Sequence, residues 1–167
     1  KNTVTDQIEN MQTNQPARNP YEEVMEKNFE RLQPQVQEIL LLGAIPHVLD
    51  SALAKILFPE GTEDSLKMIL SFSFTSEPRS GQIEYHDLAR SYLLDLWRVR
   101  DPDRFRQISN LLAQEYRHRL ETVPADSTIH ASEWLFHNLA FDPINGIYLI
   151  ANLFEELIES RELGSAE

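Results

Sequence analysis

The stretch that decides our interpretation is Ile83-Glu84-Tyr85-His86-Asp87-Leu88-Ala89-Arg90. Its first three residues alternate apolar and polar side chains, which predicts a strand, and the residues from Leu88 have helical periodicity. His86 and Asp87 therefore lie at a strand-to-helix junction. There His86 could meet a phosphate, or it could bond a backbone carbonyl and stabilise the turn, while Asp87 could cap the helix. Taken alone, these residues favour the second role.

The composition limits the class of protein. The chain has 167 residues and no cysteine, which excludes disulfides and thiolate metal sites and fits a cytoplasmic location. No apolar run approaches the ~20 residues of a membrane-spanning helix, and we expect no membrane partner. Because the chain begins at Lys1 without a methionine, we interpret it as part of a longer protein.

The charge argues against nucleic acid as the main partner. Fifteen lysines and arginines stand against 27 acidic residues, a formal net charge of -12. Affinity for nucleic acid comes mostly from basic groups that neutralise phosphates, so the expectation of such binding falls. The same charge disfavours an anionic membrane surface.

The first 100 residues predict a polar arm followed by a winged-helix domain. Residues 1–20 are polar and are interpreted as a flexible arm or linker. Residues 21–100 contain apolar patterns of helices, the last three beginning near Pro34, Pro46 and Thr62. The alternating segments 72–75 and 82–85, separated by turn residues 77–81, predict a β-hairpin. Three helices followed by a two-stranded wing are typical of a winged helix.

Residues 101–163 predict a separate helical domain that could begin an α-solenoid. Asp101-Pro102 and Asp142-Pro143 mark helix starts. The last helix is expected to carry an apolar stripe, formed by Ile144, Ile147, Tyr148, Ala151, Phe154 and Ile158. The fold class is therefore mainly α, with one small β-hairpin.

No complete catalytic site is visible in the sequence. The glycine-rich phosphate loops, the nucleophile elbow and the H-E-x-x-H motif are all missing, and the chain has only 5 glycines. We therefore expect no enzymatic activity, no cofactor and no catalytic residue in this chain.

One histidine-rich segment could suggest a metal. His130, Glu133 and His137 have spacings of three and four, which on one helix would place them on one face. We instead expect His130 to lie at or before the helix start and His137 to pack and hydrogen-bond in the core. No metal ligand is assigned.

Two features bear on DNA or RNA. The most basic part of the chain contains Arg98, Arg100, Arg104, Arg106, Arg117 and Arg119, with Tyr116 and His118. Acidic residues interleave with these arginines, so a solvated helix face is the favoured interpretation, although RNA or an acidic partner stays open. The third helix of the winged helix, which would enter a major groove, begins with Glu63 and Asp64 and has one lysine. A packing role is favoured over DNA reading.

Several segments, in order, resemble STAND NTPases, the signal-transduction ATPases that include the NB-ARC proteins and the apoptotic ATPases. Tyr85-His86-Asp87-Leu88 is similar to their Met-His-Asp motif, with tyrosine in place of methionine. The other segments that carry the resemblance are Asn28-Phe29-Glu30-Arg31-Leu32, residues 35–46, residues 66–74, residues 133–139 and Asp142-Pro143. Together they span roughly residues 24 to 160.

The resemblance implies a role for the junction. In that family the histidine contacts the β-phosphate of ADP, and the winged helix thereby locks the resting state. His86 would be the phosphate sensor, with Tyr85 and Asp87 in support. ADP or ATP with Mg²⁺ would bind the parent protein, on a nucleotide-binding domain outside this chain. Downstream sensor or effector domains, and oligomerisation on activation, would complete the partners. The alternatives are a winged-helix transcription regulator and a protein-interaction adaptor.

Overall fold

The computed structural model describes residues 20–123 and 127–164. Within those ranges the chain forms eight helices and three short strands. In chain order they are α1 (Pro20–Glu30), α2 (Pro34–Gly43), β1 (Val48–Asp50), α3 (Ser51–Leu57), α4 (Thr62–Leu70), β2 (Thr75–Arg79), β3 (Gln82–Tyr85), α5 (Asp87–Arg100), α6 (Pro102–Thr122), α7 (Ser127–Phe141) and α8 (Pro143–Gly164). The predicted mainly α class with a small sheet is confirmed, and the predicted arm lies, except for Pro20, outside the described residues.

Local signals set several helix boundaries. Pro34 opens α2, where its missing N–H is not needed. Asp101 caps α6, because its Oδ1 accepts the N–H of Arg104 at 3.0 Å. Asp142 does the same before α8, accepting the N–H of Asn145 at 3.1 Å. These three helix starts agree with the sequence prediction.

The segment after Pro46 was predicted to be helical throughout, but it begins with strand β1. Leu49 lies opposite Ile83 in an antiparallel pairing with β3. The sheet therefore has three strands in the order β1-β3-β2, instead of a lone hairpin. Leu49 points into the core while Val48 and Asp50 face outward. Asp50 then caps α3 by accepting the N–H groups of Ala52 and Leu53 at 3.0 and 2.9 Å.

The first strand of the hairpin begins three residues later than predicted, whereas the second strand has its predicted bounds, residues 82–85. Residues 72–74 precede β2, and the turn between Arg79 and Gln82 contains only Ser80 and Gly81. Gly81 has a φ of 78°, a left-handed conformation that glycine adopts without strain. The Glu77 carboxylate accepts the Gly81 N–H at 2.7 Å and closes the turn. Pro78 is tolerated inside β2 because β2 is an edge strand.

One hydrophobic core runs from α1 to α6. It includes Phe29, Leu40, Leu49, Ile83 and Leu93 from the first part of the chain. Residues from beyond position 100 belong to the same cluster, and they are Phe105, Ile108, Leu112 and Tyr116. Side chains from both sides of residue 100 therefore belong to one core.

Helix α5 packs with a slightly different face from the one expected. The helical spacing of Leu88, Tyr92, Leu93 and Leu96 predicts that Leu88 faces the core, but Leu88 is 56% exposed. The buried positions are Ala89, Leu93 and Trp97, spaced by four, together with Leu94. The helix is thus turned by about one residue, which leaves Leu88 at the surface beside His86.

The last two helices pack as a pair with one uncovered apolar face. Gly146 of α8 lies against Leu139 of α7, so closely that an added Cβ would meet the Leu139 backbone at 2.8 Å. On α8, the expected apolar stripe faces away, with Ile144, Ile147, Tyr148 and Phe154 all more than 60% exposed. The side chain of Ile158 lies outside the described side chains. None of the described helices combines the length and apolarity required to cross a bilayer.

Candidate functional site

His86 lies at the N-terminal end of α5, directly after β3. Its backbone N–H donates to the Phe74 carbonyl at 2.9 Å, and its carbonyl accepts the N–H of Arg90 at 2.9 Å. The backbone therefore holds the residue firmly. The side chain is exposed and makes no capping hydrogen bond. The imidazole is therefore exposed, and among the described residues it makes no hydrogen bond that would stabilise the turn.

The imidazole opens onto a shallow hollow of about 430 Å³. Its lining also includes Tyr21 of α1, Ser73 and Phe74 before β2, and Asp87 and Leu88 of α5. Two groups here can meet an anion: the His86 ring and the free N–H groups in the first turn of α5. Asp87 adds a negative charge beside them, which opposes the binding of a phosphate to this surface alone.

The prediction that Asp87 caps the helix is wrong. The N-cap position is occupied by His86, and Asp87 is the first helical residue. A carboxylate in the first turn still stabilises the helix through the helix dipole, typically by ~0.3–1 kcal/mol. The Asp87 carboxylate therefore stabilises the helix electrostatically, and the His86 imidazole makes no capping hydrogen bond.

Tyr85 supports the junction from inside. Its side chain is buried at the end of β3, with its ring 6.1 Å from that of Phe74. The hydroxyl has no hydrogen-bond partner among the described residues. Burial raises the pKa of Tyr85 far above its ordinary value. A Cβ added at Gly43 would lie 2.6 Å from this oxygen, so α2 and β3 are in close contact here.

Arg90 fixes the other side of α5. Its guanidinium donates to the carbonyls of Ala44 at 3.1 Å and Ile45 at 2.8 Å, just after the end of α2. It also lies 5.5 Å from the ring centre of Phe136 on α7. Burial lowers the pKa of Arg90. One residue of the junction thus connects α5, the end of α2 and the C-terminal helices.

A second connection joins the sheet to α6. Arg119 makes a two-pronged ion pair with Asp50 at 2.6 and 3.1 Å and a further contact with Glu115 at 2.9 Å. Burial alone would raise the pKa of Asp50, but Arg119 and the N–H groups of the α3 cap outweigh it and hold the pKa below its ordinary value. Bidentate pairs of this kind fix orientation as well as distance.

The histidine-rich segment belongs to α7 throughout. His130 lies inside the helix and is buried, so its expected place before the helix is wrong. His137 is fully buried and stacks on Tyr116 at 5.5 Å, which confirms the packing role. The expected hydrogen bond is wrong, because neither ring nitrogen bonds to a described residue; the Glu133 carboxylate is 3.6 Å from Nε2. Among the described residues no three side chains form a group that could hold a metal.

Glu133 itself connects α7 to the loop before β1. Its Oε2 accepts the backbone N–H of His47 at 3.0 Å. Burial would raise the pKa of Glu133, but His137, that N–H and Arg90 together keep the pKa below its ordinary value. Burial lowers the pKa of His137 and outweighs the opposing effect of Glu133. His137 is therefore neutral at pH 7 and Glu133 is charged.

The basic run is neutralised within the chain. Five of its six arginines contact carboxylates, in the pairs Arg98–Asp95, Arg104–Glu38, Arg106–Asp103, Arg117–Glu121 and Arg119–Asp50. The sixth, Arg100, donates to the side-chain amide of Gln37 at 3.1 Å. These arginines have partners already, so they favour the interpretation as a paired helix surface over that of a phosphate-binding patch.

Sequence reasoning singled out His86 but missed the residues that position it. Arg90 lies inside the quoted stretch, yet its partners Ala44 and Ile45 are 46 and 45 residues away, and no local pattern announces them. Asp50 could have been found, because an aspartate before Ser51 is an N-cap signal. What the site can do is present one imidazole and one helix N-terminus on a rigid support.

Comparisons of this chain with protein-family models, with curated proteins and with solved structures found no significant match.

Proposed function

We propose that this chain is the regulatory module of a STAND-type ATPase. In this proposal a winged helix senses the nucleotide bound to a neighbouring domain, and the helices after it transmit that state to downstream interaction domains. ADP or ATP and Mg²⁺ are held by the parent protein. The chain itself carries out no reaction.

The order of elements supports the winged-helix part. From α2 to β3 the chain runs helix, strand, helix, helix, strand, strand, and the antiparallel sheet has the order β1-β3-β2. This order supports a three-helix unit with a wing, in which the first strand pairs beside the last. Strand β1, which the sequence analysis missed, makes the likeness stronger than a hairpin alone.

The observation that carries the proposal is the free side chain of His86. Its backbone is held on both sides, at Phe74 and Arg90, while its imidazole is exposed and makes no capping bond. The first turn of α5 adds free N–H groups beside it. The imidazole is a hydrogen-bond donor in a fixed position, with few other phosphate-binding groups around it. This arrangement suits a phosphate that is held mainly by another domain.

The contacts of α7 suit transmission from that sensor. Arg90, four residues after His86, contacts Phe136, and Glu133 holds the loop before β1. A shift of α5 would therefore move α7 with it. The exposed stripe of α8 supports contact with a downstream domain of the parent protein, because apolar patches of this kind commonly mark protein contacts.

The transcription-regulator alternative has less support. On α4 the first turn contains Glu63 and Asp64, and Lys67 lies 4.0 Å from Glu63. In the described residues, that helix presents no cation without an acidic neighbour. DNA phosphates would be repelled where a reading helix has to enter the groove.

The proposal predicts that His86 slows ADP release in the intact protein that carries this chain. With His86→Ala, loss of one hydrogen bond to a phosphate, worth ~1.5–3 kcal/mol, should speed ADP dissociation by roughly ten- to a hundredfold. The rate is measured by stopped-flow fluorescence with a fluorescent ADP derivative displaced by excess unlabelled ADP.

His118→Ala is the matched control. His118 is also exposed, but it lies on α6 and away from the hollow at His86. The control variant should release ADP at the wild-type rate. Equal release rates for wild type, His86→Ala and His118→Ala would refute the sensor role.

A further inference from the structure

A groove separates the outer face of the sheet from α6 and α7. Its volume is about 660 Å³, within the range of sites that hold small molecules or peptide side chains. One wall consists of outward-facing residues of β1 and β3, among them Gln82 and Glu84, and the other of Tyr116, Arg119 and His130. The groove is distinct from the hollow at His86.

The groove is acidic. Four carboxylates line it, Asp50, Glu84, Glu115 and Glu133, against the two arginines Arg79 and Arg119. Arg119 is fully engaged by Asp50 and Glu115, as described above, so it is not available to an anionic ligand. Because carboxylates outnumber arginines in the lining, the groove favours a cation.

Two polar groups in this groove lack partners. Glu84 is half-buried on β3, and its carboxylate has no hydrogen bond or ion pair with a described residue. His130 is only 8% exposed, and its Nδ1 has no hydrogen-bond partner among the described residues. A buried ring nitrogen without a partner is costly in a folded protein. The Glu84 carboxylate is only half-buried, so it is accessible to a ligand from solvent.

The groove lining also contains exposed apolar side chains. Val123 and Ile129 are 42% and 54% exposed at its rim. Together with the aromatic ring of Tyr116, they provide contacts for an alkyl chain. An occupant with an apolar chain and a charged donor at its end would match both parts of the groove.

We propose that this groove binds a primary ammonium group on an alkyl chain, as in a lysine side chain, with Glu84 as its main anchor and His130 beside it. The ammonium donates to the Glu84 carboxylate, and the alkyl chain packs between Val123, Ile129 and the ring of Tyr116. This site is independent of His86 and of any nucleotide.

The test is a titration of the ¹⁵N-labelled chain at pH 7 with n-hexylammonium, followed by amide NMR shifts. Saturable shifts should cluster at Glu84, Arg119 and Ile129. Hexan-1-ol, the neutral analogue of the same length, should bind at least about tenfold more weakly, since it lacks the charge-assisted hydrogen bond. Equal binding of the alcohol, or shifts that avoid the groove, would overturn the proposal.

The variant Glu84→Gln keeps the size of the side chain and removes its charge. It should weaken hexylammonium binding about tenfold, the loss of one charge-assisted hydrogen bond. Glu23→Gln changes the net charge equally on the exposed face of α1 and should leave the affinity unchanged. If both variants bind like the wild type, Glu84 is not the anchor and the assignment fails.

A lysine of a partner peptide and a free alkylamine share this chemistry. A second titration, with the acetylated, methylamidated lysine residue, distinguishes these two sources. This probe carries the ammonium group at the end of a peptide side chain. Binding as tight as that of hexylammonium assigns the groove to a peptide, and binding at least tenfold weaker assigns it to a free amine. Both results retain the ammonium site.

Discussion

At the scale of single residues, Tyr85 and His86 have opposite orientations at the junction. Tyr85 is buried and packs against α2 at Gly43, while the neighbouring imidazole is exposed. Alternation along β3 produces this division, because Ile83 and Tyr85 both point inward. The Tyr85 ring therefore fills the space beneath the junction, and the imidazole of His86 stays outside.

The buried Tyr85 hydroxyl should reduce stability. Because it has no hydrogen-bond partner among the described residues, Tyr85→Phe should raise the free energy of unfolding by about 1 kcal/mol, as measured by urea denaturation. Tyr148→Phe, on the exposed face of α8, serves as the control and should change nothing. Destabilisation by Tyr85→Phe would show that the hydroxyl is bonded after all.

At the scale of elements, α5 is the support that holds His86 against the rest of the chain. Arg90 joins α5 to α7 through its contact with Phe136. It also joins α5 to the end of α2, where the carbonyls of Ala44 and Ile45 would otherwise lack donors. Only the forked guanidinium can reach the carbonyls of Ala44 and Ile45 together.

Arg90→Lys should therefore destabilise the protein by about 2 kcal/mol, since a single ammonium replaces several charge-assisted hydrogen bonds. The comparison variant is Arg98→Lys, two turns further along the same helix, where an exposed ion pair with Asp95 is worth less than about 1 kcal/mol. Thermal or urea unfolding measures both. Equal effects of the two substitutions would contradict the role given to Arg90.

At the scale of the whole molecule, the C-terminal helices are held by a buried cluster that is sensitive to acid. The pKa of His137 is lowered, mainly by burial, so the unfolded chain binds a proton that the folded chain resists. Stability then rises with pH in this window and is lost as the pH falls below the ordinary histidine value of 6.5. The lowered pKa of Glu133 adds a further loss below its ordinary value of 4.5.

The free energy of unfolding should accordingly decrease between pH 7 and pH 5. His137→Phe, which keeps a ring stacked on Tyr116, should flatten that decrease, whereas His118→Gln at the surface of α6 should not. NMR titration of the His137 ring gives the same information without a variant. A decrease of unchanged size in His137→Phe would remove His137 from this explanation.

What the sequence predicts well is local, and what it misses depends on distant partners. Pro34, Asp101 and Asp142 mark helix starts because capping acts within a few residues. Strand β1 was interpreted as helix because its three residues fit either period, and its partner Ile83 lies 34 positions after Leu49. The exposure of His86 follows from its place at the junction. The support from Arg90 does not, since nothing near it in sequence indicates Ala44 or Ile45 as partners.

The central claim is that His86 distinguishes ADP from ATP in the intact protein. The most direct measurement compares dissociation rates of fluorescent ADP and of a fluorescent, non-hydrolysable ATP analogue from wild type and from His86→Ala. The account predicts that the substitution speeds ADP release at least about tenfold and leaves release of the ATP analogue within about twofold, because the proposed contact of His86 is with ADP in the resting state. Equal acceleration of both nucleotides, or of neither, would contradict it.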